Sequence, residues 1–187
     1  MNCFKKLFVV GMATLAVLLT GCGGGKGEPP EVMIDGVSLV VGESVPGDLT
    51  NQGFELNDLG AMIFELPERS WVSSIFLEKD GVSYGSLTLT NESRESKFVG
   101  SCLIEEIKFY SLNETNTDIN ITINGVNPVG MTLDELKAAY PDLEVDENSD
   151  SDYFFHYLRN GKYTICFHYT KDVMTDIDVQ HEFSKGY

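Results

Sequence analysis

Basic residues are scarce in this 187-residue chain, which has 13 Lys and Arg against 29 Asp and Glu and a formal net charge of -16. Nucleic-acid binding requires Lys and Arg that neutralise phosphates, and binding to anionic lipid headgroups requires basic clusters. The composition therefore argues against both, and we expect no nucleic-acid partner. With 42% hydrophobic and 22% charged residues, the chain has the composition of a folded protein of one or two small domains.

The chain also lacks the motifs of common catalytic and cofactor sites. It has no Gly-x-Ser-x-Gly elbow, no phosphate-binding Gly-Lys-Ser/Thr loop and no dinucleotide-binding glycine pattern. The histidines do not have the spacing of metal ligands, and the acidic segment that starts at Asp146 lacks the Gly and Glu of a calcium loop. We therefore expect no enzymatic activity, no cofactor and no bound metal ion.

The N-terminal apolar run, residues 7–19, is too short for the ~20 residues of a permanent membrane-spanning helix. It follows Lys5 and Lys6 and ends in Leu-Thr-Gly-Cys at 19–22, which is typical of a secretory signal. This ending resembles the lipobox of bacterial lipoproteins. The resemblance implies a signal peptide over residues 1–21, acylation of Cys22 with a palmitate-type chain, and a lipid anchor on the extracytoplasmic face of a bacterial membrane.

Residues 22–31 then form a Gly-rich tether. Of the four cysteines, Cys3 belongs to the signal and Cys22 to the anchor, which leaves Cys102 and Cys166. Outside the cytoplasm these two can form a disulfide, and the alternative is a pair of buried free thiols.

The chain contains an internal repeat. Ile-Asp-Gly-Val at 34–37 recurs as Ile-Asn-Gly-Val at 123–126, and Val-Gly-Glu-Ser at 41–44 recurs as Val-Gly-Met-Thr at 129–132. Each copy precedes a short helical pattern and then alternating segments. The repeat predicts an α+β fold of two related lobes, each a short helix packed on an antiparallel β-meander, over residues 32–116 and 117–187.

Local signals place the elements of each lobe. Ser44 is the expected helix cap in the first lobe, and Thr132 with Glu135 forms a capping box in the second. Asp80-Gly81 and Asn160-Gly161 predict two-residue hairpin turns. Centring the second turn on Asn160-Gly161 places His156 opposite Ile165 and Phe154 opposite Phe167.

Three resemblances bear on the fold. The Val-Gly-Met-Thr-Leu-Asp-Glu-Leu segment at 129–136 is similar to a helix opening in the small lipoprotein subunit of the outer-membrane β-barrel assembly machinery. The tandem helix-and-meander unit looks like the architecture of β-lactamase inhibitor proteins. As a whole, the chain resembles uncharacterised lipoproteins of Gram-positive anaerobes. These resemblances imply a fold and transfer no function.

The alternation of the second lobe places aromatic side chains beside polar ones on one strand face, a pattern typical of an interface. The candidate binding residues are Tyr153, Phe155, Tyr157, His168 and Met174. We expect this row either to be covered by the first lobe or to face a partner protein in the cell envelope. The sequence thus favours a non-catalytic, membrane-anchored binding module. The alternatives are an enzyme inhibitor and a cell-wall hydrolase that uses Asp176 and Asp178.

Overall fold

A computed structural model describes residues 27–57, 65–112, 119–146 and 152–182. This part of the chain is mostly β, with 53% of residues in strands and 11% in helices. The expected α+β fold, with one helix packed on each of two separate meanders, is therefore wrong. Strands from both halves of the sequence hydrogen-bond to each other and form one large sheet, so the two halves share a single β framework.

The described elements, in chain order, are β1 (Glu31–Ile34), β2 (Val37–Val40), α1 (Pro46–Thr50), β3 (Glu55–Asn57), β4 (Glu65–Leu66), β5 (Ser70–Lys79), β6 (Val82–Asn91), β7 (Lys97–Phe98), a 3-10 turn (Val99–Ser101), β8 (Leu103–Phe109), β9 (Ile121–Ile123), α2 (Leu133–Ala139), β10 (Glu144–Val145), β11 (Tyr153–Asn160), β12 (Tyr163–Thr170) and β13 (Val173–His181). Neither α-helix in these ranges is long and apolar enough to cross a membrane.

The large sheet has eight antiparallel strands in the order β10-β11-β12-β13-β8-β6-β5-β3. This order is symmetric about the β13–β8 pair: each side continues with a hairpin and ends in a short edge strand. The last strand of each half therefore lies at the centre of the sheet. A three-stranded sheet, β2-β1-β9, also combines both halves, and β4 pairs with β7.

The two long hairpins differ in their turns. Asp80 and Gly81 both have positive φ, 53° and 78°, as a type I′ turn between β5 and β6 requires. In the second hairpin Asn160 pairs with Tyr163, so the turn is centred one residue later than predicted. Leu158 consequently lies opposite Ile165 and His156 opposite Phe167, which makes the predicted register wrong by two residues. A shift of two keeps each side chain on its face, because side chains alternate with a period of two.

Of the two helix caps predicted from the sequence, that of α2 is present and that of α1 is not. The predicted capping box of α2 is present: the Thr132 hydroxyl accepts from the Glu135 N–H, and the Glu135 carboxylate accepts from the Thr132 N–H. The expected Ser44 cap of α1 is wrong, because Val45 is the N-cap and Asp48 accepts from its N–H. The Ser44 hydroxyl instead accepts from the N–H of Val40 in β2.

The core lies on one face of the large sheet. Leu49 of α1 and Leu136 of α2 are fully buried there, with side chains of the three-stranded sheet such as Ile34 and Ile123. The Tyr140 hydroxyl donates to the Ile123 carbonyl at 2.9 Å, which joins the end of α2 to β9. The helices and the small sheet therefore pack on the inner face of the large sheet, and its other side is the outer face.

Candidate binding face of the large sheet

The outer face carries a continuous row of side chains across all eight strands. Strand pairing places these residues side by side in the order Glu144, Tyr157, Cys166, Asp178, Lys108, Ser86, Phe76 and Asn57. The row begins with an acidic and an aromatic side chain, Glu144 and Tyr157. It has the charged pair Asp178 and Lys108 near its centre and ends with polar side chains on either side of Phe76. Such a mixed face differs from the mostly apolar inner face.

An ion cluster around the buried carboxylate of Asp178 occupies the centre of this row. The Asp178 Oδ2 atom lies 3.2 Å from Lys108 Nζ and 2.9 Å from His168 Nε2, and Asp178 is buried. Burial lowers the pKa of His168, but its hydrogen bonds with Asp178 and Cys166 outweigh this effect and raise the pKa to about 9. The imidazole is therefore protonated at neutral pH, and Asp178 lies between two cations.

Asp176 and Asp178, the acid/base pair of the alternative hydrolase interpretation, have different partners. Asp178 is the shared anion of the ion cluster, whereas Asp176 Oδ1 accepts a long hydrogen bond of 3.4 Å from the Ser111 N–H. Glycosidic cleavage requires two carboxyl groups on either side of a bound sugar, with one of them ready to give up a proton. The position of Asp178 between Lys108 and His168 suits a structural counter-ion better than that task.

Four of the five candidate binding residues lie on the outer face near the β11 edge. Tyr153 is 63% exposed and Phe155 is 38% exposed. We call Tyr153 and Phe155 together the aromatic edge. The Phe155 ring packs edge-on against the His168 ring, with centroids 4.9 Å apart, so the aromatic edge contacts the ion cluster. The first half of the chain does not cover these residues within the described part, because the two halves join edge to edge through β8 and β13.

Met174 does not belong to this face. A bulge between His168 and Tyr169 shifts the pairing of β12 with β13, so Met174 lies opposite Tyr169. Tyr169 is a core residue, and Met174 is buried in the same core. The placement of Met174 among the binding residues is therefore wrong, because strict alternation along β13 cannot anticipate a bulge.

Cys102 and Cys166 are both free and buried, so the structure has the thiol alternative and not the disulfide. Cys102 packs in the core, where its thiol donates to the Phe98 carbonyl at 3.6 Å. Cys166 lies in the outer row, opposite Tyr157 on one neighbouring strand and Asp178 on the other. The two thiols thus belong to different environments.

A second feature, which the sequence did not indicate, is a cleft of about 250 Å³ near the β5 side of the outer row. Its walls are formed by Trp71, Ser73, Thr88, Glu105, Glu106, Gln180 and His181. Glu105 Oε2 lies 2.7 Å from His181 Nδ1, and the Thr88 hydroxyl donates to Glu106 Oε2 at 2.7 Å. Burial raises the pKa of Glu105, and its hydrogen bond with His181 opposes that effect. Four strands build this cleft, and the one local signal is the pair Glu105-Glu106, which interrupts the alternation of β8.

The described residues contain no group of three or more His, Cys, Asp or Glu side chains arranged to hold a metal ion. Of the three histidines, His156 packs in the core beside Tyr169, while His168 and His181 each contact a carboxylate. The predicted lipidation site, Cys22, and most of the acidic segment after Asp146 lie outside the described residues.

Comparison of the chain with protein-family models, with curated protein sequences and with solved structures finds no significant match. The resemblances drawn from the sequence therefore rest on their motifs alone.

Proposed function

We propose that this chain is a lipoprotein anchored through Cys22 to the extracytoplasmic face of a bacterial membrane, and that it binds a basic partner protein of the cell envelope without catalysis. The observation that carries the proposal is the aromatic edge, Tyr153 and Phe155, exposed on the outer face beside the ion cluster of Lys108, Asp178 and His168. An enzyme inhibitor is the special case in which the partner is an enzyme.

Aromatic side chains provide large contact areas at little cost in conformational entropy, and they dominate many protein interfaces. Phe155 rests on His168, and His168 is fixed by Asp178. The contact with His168 therefore holds the Phe155 ring in place before a partner binds, which reduces the entropy lost on association.

The net charge of the chain indicates that its partner is a basic protein. A formal net charge of -16 attracts basic proteins over long range and repels acidic ones. This steering weakens as salt rises, because the Debye length is only about 8 Å at physiological ionic strength. We therefore expect complex formation with a basic surface and faster association at low salt.

The position where the tether meets the folded part leaves the aromatic edge accessible to a partner protein. The Asn160 side chain donates to the Glu28 carbonyl at 3.1 Å, so the start of the described chain lies against the β11–β12 turn. Tyr153 is at the opposite end of β11, about 23 Å away at 3.3 Å per residue. An anchor at Cys22, about five residues before Gly27, would hold the turn near the membrane and the aromatic edge away from it.

The test is capture of a partner on intact cells by the lipidated protein, followed by measurement of the isolated complex. Tyr153→Ala and Phe155→Ala should each weaken binding of the captured basic protein about tenfold, as expected for interface anchors. Phe98→Ala is the matched control, because Phe98 is an aromatic residue 60% exposed on β7. It should leave binding unchanged.

Thermal melting of the three variants completes the test. The exposed positions of Tyr153 and Phe155 predict melting temperatures close to that of the unchanged protein. A large fall in melting temperature would mean that these side chains stabilise the fold, and equal binding by all variants would remove the aromatic edge from the interface. Either result contradicts the proposal.

A further inference from the structure

The bulge between β12 and β13 changes which side chain of β13 reaches the outer face near the start of that strand. The pairing of the two strands skips Thr175, which lies between Met174 and Asp176. Without this extra residue, Met174 would share the outer face with Asp176, whereas the bulge turns Met174 inward and Val173 outward. The exposures agree, because Met174 is 2% exposed and Val173 is 50% exposed.

Val173 lies on the outer face at the same end of the sheet as the aromatic edge. It pairs with Thr170 of β12, and Thr170 pairs with Tyr153 of β11. These three residues form a row across three strands, and the next row on the same face contains Phe155. Three large, exposed side chains therefore lie together at this end of the sheet, and we call Tyr153, Phe155 and Val173 the apolar patch.

Exposed carboxylates border the apolar patch. Asp152 and Asp172 are exposed and directly precede the first residues of β11 and β13. The Asp152 carbonyl accepts from the N–H of Lys171, the residue before Asp172, so both carboxylates flank the same end of the sheet. In the sequence, residues 146–152 contain four Asp or Glu and no Lys or Arg.

The cations nearby offset this charge only in part. Lys171 is exposed in the turn before β13, and His168, which contacts Phe155, is already paired with Asp178. Asp176 adds a further carboxylate on the outer face, opposite His168. The patch thus combines an apolar centre with an acidic border, which fits a partner segment whose apolar side chains are flanked by Lys or Arg. A second copy of this chain fits poorly, because two strongly negative molecules repel each other.

We propose that the apolar patch binds a segment of the partner protein in which apolar side chains alternate with Lys or Arg, an inference that rests on the proposed function and extends its interface to Val173. The patch contacts the apolar side chains of the segment, and the bordering carboxylates contact its cations. Val173 replaces Met174 among the binding residues, because the bulge gives the outer-face position to Val173.

The test uses a synthetic peptide as the probe. We would titrate the full mature protein, in non-ionic detergent, with acetyl-Arg-Leu-Arg-Leu-Arg-amide and measure binding by isothermal titration calorimetry. We expect a Kd of about 0.1–1 mM, a range suited to a short peptide. A second peptide with Ser in place of Leu keeps the charge, and a third with Glu in place of Arg keeps the apolar side chains. Each of these two should bind roughly tenfold more weakly or worse.

Paired substitutions assign the binding to Val173. Val173→Arg should weaken binding of the Arg-Leu peptide about tenfold, because it places a cation in the apolar patch. Val82→Arg is the matched control, since Val82 is also the exposed first residue of a strand after a two-residue turn and the net charge changes equally. It should leave binding unchanged. Val173→Thr keeps the β-branched shape, so it should weaken binding about threefold at an unchanged melting temperature even if Val173→Arg disturbs the fold.

Four results would overturn the inference. Equal binding of the Ser peptide would mean that charge alone attracts the probe, and equal binding of the Glu peptide would exclude a role for the acidic border. Equal weakening by Val82→Arg would remove Val173 from the site. A dimer of the unchanged protein that Val173→Arg dissociates, measured by sedimentation, would mean that a second copy occupies the patch.

The inference and the proposed function fail separately. If the Val173 variants bind the peptide and the captured partner normally while Tyr153→Ala and Phe155→Ala weaken partner binding, the assignment of Val173 alone is wrong. If the Val173 variants weaken peptide binding while the two aromatic variants bind the captured partner normally, the aromatic interface of the proposed function is wrong.

Discussion

The ion cluster of Lys108, Asp178 and His168 should make the stability of the protein depend on pH. His168 has a pKa of about 9 in the folded chain against an ordinary value of 6.5. The folded state therefore holds this proton more tightly than the unfolded state does. The resulting stabilisation is complete below about pH 6.5 and is lost as the pH rises through about 9.

The magnitude follows from the two pKa values. One pKa unit corresponds to about 1.4 kcal/mol, so this difference corresponds to about 3.5 kcal/mol at most. The His168 side chain is 20% exposed, and contact with solvent screens part of the interaction. We expect the free energy of unfolding to fall by about 2 kcal/mol between pH 6.5 and pH 9.5 on account of this residue.

Urea unfolding of the mature protein at these two pH values measures the effect. In Asp178→Asn, the fall between pH 6.5 and pH 9.5 should largely disappear, because His168 loses its anionic partner. This variant should also be less stable at pH 6.5, since it leaves two partly buried cations without their counter-ion. Asp176→Asn is the control, because it removes the same charge two residues away and leaves the ion cluster intact.

The reasoning would be refuted if the unchanged protein and Asp178→Asn lost equal stability over this interval, or if Asp176→Asn abolished the pH dependence as well. His168→Gln provides a second route in case Asp178→Asn does not fold. It keeps the contact between Lys108 and Asp178 and removes the titrating group. Its unfolding free energy should therefore change little over the same interval.

Three further predictions concern the framework and the anchor. Gly85→Ala should cost more than about 3 kcal/mol in urea unfolding, because a Cβ would lie 1.9 Å from the Lys108 carbonyl oxygen; Gly81→Ala, with no atom within 4 Å, should cost only about 1 kcal/mol from its positive φ. Thr132→Ala should lower the unfolding free energy by about 1 kcal/mol through loss of the α2 cap, and Thr132→Ser should restore it; an unchanged value would contradict the role of the cap. Cys22→Ala should move the protein from the membrane fraction to the soluble fraction on cell fractionation, and retention after a salt wash would contradict a sole lipid anchor.

The elements that the sequence predicts well depend on neighbouring residues. Thr132 and Glu135 are three positions apart, so their mutual capping follows from helix geometry alone. The Asp80-Gly81 turn likewise needs only two residues that tolerate positive φ. At Asn160-Gly161-Lys162, two turns are locally acceptable, with Gly161 as the first or the second central residue. Packing across β11 and β12 selects the later one, which moves the register by two residues.

By itself, the sequence determined the acidic charge, the presence of the two long hairpins and the capping of α2, all of which depend on composition or short-range pattern. Tertiary structure alone decided that β8 pairs with β13, because strand edges carry the same backbone groups and only packing selects among distant partners. That pairing turned two predicted lobes into one sheet. A bulge between β12 and β13, which depends on contacts across the strands, then buried Met174.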